Sequence, residues 1–317
     1  MKVLVIGAGG VGGYFGGRLV QSGADVTFLV RPKRAQQLAE RGLVIKSTVG
    51  DATLAVRTIT SADAGRLFDL VLVACKSYDL ASSIEAAAPH MAAGAGLILP
   101  LLNGMAHIDL LRERFGTDRV LGGLCGIFAT LSPAGEVVQM EGLPPLIAFG
   151  RFKDQVERGV LEQPARVIEQ MMGQANFNSK RVEPIEQGLW EKWVTLAALA
   201  AGTCLMRGSI GAIVASEDGK AVMEELLAET TAIARAAGYP PSEQYLATVR
   251  GVLTAAESNA TASMLRDIQK GGATEGDHII GDMLWRARKL GAPTPLLRIA
   301  NVHLQTYEVE RKKAAAG

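Results

Sequence analysis

Cysteine is scarce in this chain. Its 317 residues hold three, Cys75, Cys125 and Cys204, odd in number and far apart. That excludes a disulfide framework and a paired-ligand zinc site, and it predicts a reducing, cytoplasmic compartment. Surplus charge is missing too. Lysine plus arginine total 33 and aspartate plus glutamate 32, a formal net of +1. Such a balance gives no strong pull on nucleic acid or an anionic membrane surface. Long apolar runs are absent as well. The longest weakly polar stretch, 193–206, is too short to span a bilayer. The four histidines, His90, His107, His278 and His303, form no spaced ligand set, so no metal is required.

What is present is apolar bulk. Hydrophobic residues make up 48% and charged residues 21%, enough for a large core and against disorder as the main state. The length exceeds what one core usually holds, so two domains are expected. The boundary falls near 182–186, where Pro184 interrupts the pattern, giving 1–183 and 184–317. No internal repeat stands out. Lys2 before an apolar stretch has the look of a secretion signal, but Gly7, Gly9, Gly10, Gly12 and Gly13 interrupt it.

In the first part, short β-branched and leucine-rich runs at 2–6, 25–30, 70–74 and 97–101 read as buried strands. Helical stretches, 11–22 and 80–90 among them, lie between. Strand alternating with helix predicts an α/β fold: a parallel sheet with helices on both faces. From about 120 the segments shorten (124–131, 136–140, 146–149), with turns at Ser132-Pro-Ala-Gly135 and Gly142-Leu-Pro-Pro145. These read as antiparallel or mixed strands finishing the same sheet. A helix is expected over 161–174. Beyond 186 the pattern is helical, with long stretches at 187–206, 219–238, 242–257 and 275–290, and breakers at 238–241, 271–272 and 293–295. A short alanine-rich tail after Lys313 is expected to fray.

Gly7-Ala-Gly9-Gly-Val-Gly12 closes the first strand and opens the first helix. The first glycine permits the sharp turn, the second a close approach of backbone to a pyrophosphate, the third tight packing of helix on sheet. The helix start then offers free N–H groups and a positive dipole end to phosphate. Gly10 and Val11 lie in the same turn and join the candidate cofactor contacts. The second strand decides which dinucleotide. Where NAD sites place an acid for the ribose 2′-hydroxyl, this strand ends Phe28-Leu-Val-Arg31-Pro-Lys33-Arg34. Three cations suit a 2′-phosphate, and Arg31 can also stack on adenine, so the reading favours NADP(H). The plain alternative is a solvated basic turn. Strands three and four lead to Cys75-Lys76-Ser-Tyr78 and Leu102-Asn103-Gly104, and ligands in such sheets sit beyond the strand ends. Lys76 is thus a candidate for phosphate or ribose, and Asn103 for nicotinamide ribose or substrate. An exposed lysine and an Asn-Gly turn former are the bland readings.

Together these residues resemble the ketopantoate reductase (2-dehydropantoate 2-reductase) family, essentially end to end. The resemblance rests on Gly7-Ala-Gly9-Gly-Val-Gly12, Arg31, Ala74-Cys-Lys76-Ser-Tyr78 and Asn103-Gly104. In the second half it rests on Leu189-Trp-Glu-Lys192, Ser263-Met-Leu-Arg-Asp267 and Thr274-Glu275. It implies an N-terminal Rossmann domain, an all-helical C-terminal domain and an active site in the cleft. The implied reaction is NADPH-dependent reduction of 2-dehydropantoate to pantoate, on the route to coenzyme A. By matching positions, Lys192 is the catalytic lysine, Glu275 an acidic partner near the substrate hydroxyl, and Ser263 a carboxylate contact. Arg31 is the 2′-phosphate contact, and Lys76 and Asn103 are crevice residues. A homodimer is plausible by the same analogy.

The sequence departs from the family where substrate is recognised. The family's asparagines four and eight residues after the lysine are Leu196 and Ala200 here, and a third is Ala260. Asn259, four residues before Ser263, shares its face if both lie on one helix. A different 2-oxo acid is therefore the rival substrate.

The chemistry fits the residues. Reducing a ketone builds negative charge on its oxygen, which a lysine ammonium stabilises and protonates. Lys192 lies among Trp190, Trp193, Val194, Leu196 and Leu199, so it either snorkels to water or faces a cleft. Partial burial would lower its pKa toward neutrality, with Glu275 orienting it. His278, three residues past Glu275, is a candidate cleft residue. A non-catalytic NADP-binding sensor is a further reading; the retention of Lys192 and Glu275 speaks against it.

Overall fold

The first four apolar runs fold as strands because both of their faces are covered. Val3, Val5, Leu70, Leu72, Leu97 and Leu99 enter one buried cluster, while Leu4, Ile6, Val71, Val73 and Ile98 enter another. A strand buried on both sides has no polar alternation, hence the unbroken apolar runs. In the computed structural model, which describes residues 1–63, 65–91, 96–142 and 144–316, the strands are Lys2–Ile6, Asp25–Leu29, Leu70–Val73 and Leu97–Pro100. With Arg57–Ile59 at the edge they make a five-stranded parallel sheet. Its order is Arg57–Ile59, Asp25–Leu29, Lys2–Ile6, Leu70–Val73, Leu97–Pro100. The expected parallel α/β architecture is therefore present. Helix Gly10–Gln21 packs on it, and 80–90 is the helix Leu80–Ala87 followed by a single 3₁₀ turn, Ala88–His90.

The later strands do not finish that sheet. Gly122–Gly126, Leu146–Gly150 and Asn178–Arg181 form a three-stranded sheet of their own. Ala129–Leu131 and Val137–Gln139 join Leu43–Lys46 and Ala52–Leu54 in a separate four-stranded one. The reason lies at Pro100. The outer edge of Leu97–Pro100 pairs once, where the Leu121 N–H donates to the Ile98 carbonyl (2.9 Å). The next outward residue is Pro100, which has no N–H to continue the ladder. Of the turn Gly142-Leu-Pro-Pro145, Leu143 lies outside the described residues.

By internal contacts the chain divides into two units: Met1–Leu102 with His107–Glu186, and Asn103–Ala106 with Gln187–Gly317. The second unit is helical, with Glu186–Met206, Gly219–Ala236, Glu243–Leu253, Asp282–Leu290 and Pro295–Ala316 as its long helices. Three departures from expectation have local causes. The helix expected over 242–257 stops at Leu253. The chain that follows spends its Ser258 and Ala260 carbonyls on the Gly211 and Ile210 N–H groups, at the start of the short helix Ile210–Val214. The stretch 275–290 is not one regular helix: it opens with a π turn, Asp277–Gly281. Pro295 starts a helix rather than ending one, since proline is well placed at a first helical position, and that helix holds the alanine tail through Ala316 instead of fraying. Among the described residues no helix is long and apolar enough to cross a membrane.

Candidate functional site

The glycine turn is shaped for a phosphate group. Gly7 sits at φ +91°, and its N–H donates to the Leu29 carbonyl (3.0 Å), pinning the turn to the second strand. Helix Gly10–Gln21 then begins with Gly9 as its cap residue and no side chain bonding the first-turn N–H groups. A side chain on Gly9 would meet nothing within 4 Å, so the approach is open. On Gly12 a Cβ would stand 2.1 Å from the Gly7 carbonyl oxygen, so only glycine permits this contact of helix and turn. Uncapped N–H groups at Gly10, Val11 and Gly12, with an open approach over Gly9, fit a pyrophosphate.

The three cations at the second-strand tip have different duties. Arg34 is committed to the fold: its guanidinium donates to the Ala8 carbonyl (2.9 Å) and the Gly135 carbonyl (2.8 Å), and burial pulls its pKa below the usual arginine value. Lys33 is exposed. Arg31 caps helix Pro32–Arg41 and projects outward, its side chain 78% exposed, where it pairs with Asp79 at 2.6 Å. These three and Arg41 line a concavity of about 560 Å³. Sequence reasoning missed Asp79. It lies 48 residues from Arg31, on the 3₁₀ turn Ser77–Asp79 that Lys76 caps, and no local pattern announces that pairing. Lys76 itself is half-buried.

Asn103 belongs by contact to the second unit, with Gly104 and two more residues. The reason is His278 on the π turn. Its ring has a hydrogen bond with the Asn103 backbone and feels the charge of Glu275. Gly104 lies so close that a Cβ there would be 3.1 Å from the His278 carbonyl oxygen and 3.3 Å from the ring. Three candidate residues, Asn103, Glu275 and His278, are thus gathered within one unit. Burial is the largest influence on His278 and lowers its pKa from 6.5, against the opposing pull of Glu275. Because the folded value is the lower one, the unfolded chain takes up this proton first as pH falls. Stability is then expected to decline below about pH 6.5, with a shallower decline in His278→Gln; urea unfolding of both proteins at pH 5 and pH 7.5 checks this.

Lys192 is half-buried on helix Glu186–Met206. The next residue, Trp193, is 1% exposed, and its indole N–H donates to the Ile279 carbonyl (2.9 Å) on the π turn. The Ile279 N–H in turn donates to the carbonyl of Glu275, a residue that is 9% exposed. One short relay thus ties the helix of Lys192 to the segment of Glu275. Leu196, half-buried, and Ala200, buried, follow on the face of Lys192 at four-residue steps. Ser263 is exposed as the first residue of helix Ser263–Gln269, which is moored to the same long helix where the Ala262 N–H donates to the Thr203 hydroxyl (3.3 Å). The expected helical face shared by Asn259 and Ser263 does not exist. Residues 258–262 are irregular, because Ser258 and Ala260 are pinned to the neighbouring helix, so Asn259 is exposed on a loop before the helix begins.

Cys75, Cys125 and Cys204 are not in disulfides, and burial pushes Cys204 up to about 12. Among the described residues no cluster of His, Cys, Asp or Glu is arranged to hold a metal ion.

Two family models cover most of the chain. The one described as ketopantoate reductase PanE/ApbA matches residues 3–154, and the one described as its C terminal part matches 184–308. The chain belongs to the ketopantoate reductase family. It is a nicotinamide-dependent oxidoreductase of that family, with the family's fold of a Rossmann-type α/β part and a helical part. Relatives span nearly its whole length. An uncharacterized oxidoreductase of Bacillus subtilis (strain 168), YkpB, is 36% identical over 98% of this chain and 100% of its own. A 2-dehydropantoate 2-reductase of Halobacterium salinarum is 28% identical over 94% of this chain and 96% of its own. Among solved structures, D-mandelate dehydrogenase with NADH and anilino(oxo)acetate superposes with a TM-score of 0.87 at 18% identity, covering 98% of this chain and 100% of that one; at such identity the likeness is one of fold.

Proposed function

We propose that this oxidoreductase reduces 2-dehydropantoate to pantoate with NADPH, the step that feeds pantothenate and coenzyme A synthesis. In this reading residues 1–183 bind the cofactor and 184–317 the substrate. The observation that carries it is the relay from Trp193 through Ile279 to Glu275, which fixes the elements bearing Lys192 and Glu275 within one unit. Bound NADPH supplies the hydride to the carbonyl carbon. Lys192 stabilises the oxygen as charge builds on it and donates the proton, then recovers one from water. Glu275 orients the ammonium. Ser263 holds the substrate carboxylate through its hydroxyl, and Asn259, in the exposed loop just before that helix, is proposed to assist it without sharing its helical face. Gly7, Gly9, Gly10, Val11 and Gly12 cradle the pyrophosphate, Arg31 the 2′-phosphate, and Lys76 and Asn103 the ribose and nicotinamide end.

A second reading keeps the chemistry and changes the substrate to another 2-oxo acid. Leu196 and Ala200 favour it, because they put apolar groups where the family has amides. The deciding experiment is a panel of branched and aromatic 2-oxo acids beside 2-dehydropantoate, each with NADPH. The highest kcat/KM on 2-dehydropantoate supports the first reading, and on another acid the second. Cofactor binding without turnover on any of them points to a sensor.

For the cofactor, Arg31→Ala is expected to weaken NADPH by about tenfold or more, the worth of one charge-assisted contact, and NADH far less. Equal weakening of both in a binding titration would remove Arg31 from the 2′-phosphate site. The proposal also includes a cytoplasmic homodimer. Ile299, Val302 and Val309, each at least half exposed, share one face of helix Pro295–Ala316 and offer an apolar strip for self-association. Light scattering tests it.

A further inference from the structure

We propose that Asp79 sets the choice between NADPH and NADH. The proposal rests on the reading of Arg31 as the 2′-phosphate contact. The second strand ends without the acid that NAD sites place at the ribose 2′-hydroxyl. The structure brings a carboxylate to the side chain that closes this strand, from the turn beyond another strand: Asp79 stands 2.6 Å from the Arg31 guanidinium, on the 3₁₀ turn that follows strand Leu70–Val73. Its effect on the two cofactors has opposite signs. A 2′-phosphate drawn to Arg31 meets a carboxylate already bonded to that guanidinium, and two anions then share one cation. A free 2′-hydroxyl finds an acceptor in the same carboxylate and no repulsion. Asp79 therefore holds back the NADPH preference that Arg31, Lys33 and Arg41 would otherwise impose around the concavity, and it keeps NADH usable.

The geometry also bounds the size of the effect. Arg31 is 78% exposed and Asp79 31%, so water and salt screen the pair. An exposed pair of this kind is worth a few-fold in affinity, and removing the repulsion from a doubly charged phosphate adds to that. Asp79→Asn keeps the shape and removes the charge. It is expected to tighten NADPH by about three- to tenfold at low salt, with the gain shrinking as salt rises, and not to tighten NADH.

The measurement is a titration of each cofactor without substrate, followed by nicotinamide fluorescence, on wild type, Asp79→Asn, Arg31→Ala and the double variant. In the Arg31→Ala background the Asp79→Asn gain in NADPH affinity is expected to fall below half its size, since the competition for the guanidinium is gone. If Asp79→Asn leaves NADPH unchanged or weaker, or tightens both cofactors alike, Asp79 has no part in the choice. That failure is separate from a failure of the underlying reading, which Arg31→Ala alone reports by weakening the two cofactors equally.

Discussion

Lys192→Ala is expected to lower kcat by about a hundredfold to ten-thousandfold, the range for loss of a general acid. The substrate for this measurement is whichever 2-oxo acid turns over fastest in the panel. On the proposed mechanism, the alanine removes both the cation that meets the developing oxyanion and the proton that neutralises it. Lys192→Arg separates the two roles. It restores the positive charge, but a guanidinium does not give up its proton near neutral pH. Partial recovery by arginine would assign the larger share to charge stabilisation, and no recovery would assign it to proton donation. Cofactor binding is expected to survive in both variants, because the glycine turn and Arg31 are untouched. Wild-type turnover in Lys192→Ala would take the lysine out of the mechanism.

Trp193→Ala is expected to destabilise the protein by about 3–5 kcal/mol, as for other large aromatic truncations in a packed interior. The side chain is 1% exposed, packs against Trp190 with ring centroids 5.1 Å apart, and lies under the Arg286 guanidinium at 5.6 Å. Its removal leaves a cavity and deprives the Ile279 carbonyl of its indole donor. Trp193→Phe isolates the second effect: most of the volume remains, and a loss of about 1–3 kcal/mol is expected from the unpaired carbonyl. Urea unfolding midpoints with unchanged slopes would report both. The phenylalanine variant also bears on catalysis. With the relay to the π turn cut, kcat is expected to fall more than cofactor affinity, since the relay joins Trp193, the residue after Lys192, to Glu275. A variant as stable and as active as wild type would make the indole hydrogen bond incidental.

How far these features were legible in the sequence depends on whether their cause is local. The central strands were, because Val3, Leu4, Val5 and Ile6 alternate between two buried clusters and so must all be apolar. The glycine turn was, because the contact between Gly12 and the Gly7 carbonyl admits no side chain. The helical texture beyond 186 was equally plain. What escaped is fixed across long separations. The two small sheets depend on Pro100 ending the outer ladder and on Val137 pairing with Ile45. The π turn at Asp277–Gly281 looks like ordinary helix in residue pattern. Asn259 looks helical until Ser258 and Ala260 are seen capping another helix. Asp79 gains its meaning only from Arg31, 48 residues earlier.

The assignment of 103–106 to the helical unit has a practical meaning for anyone recombining these proteins. The polypeptide passes from one unit to the other three times, after Leu102, after Ala106 and after Glu186. A gene cut once near 184 would therefore leave the helical fragment without the tetrapeptide that His278 engages. A chimera that grafts this helical unit onto a foreign Rossmann-type unit must import Asn103–Ala106 along with it, or lose the hydrogen bond between the His278 ring and the Asn103 backbone.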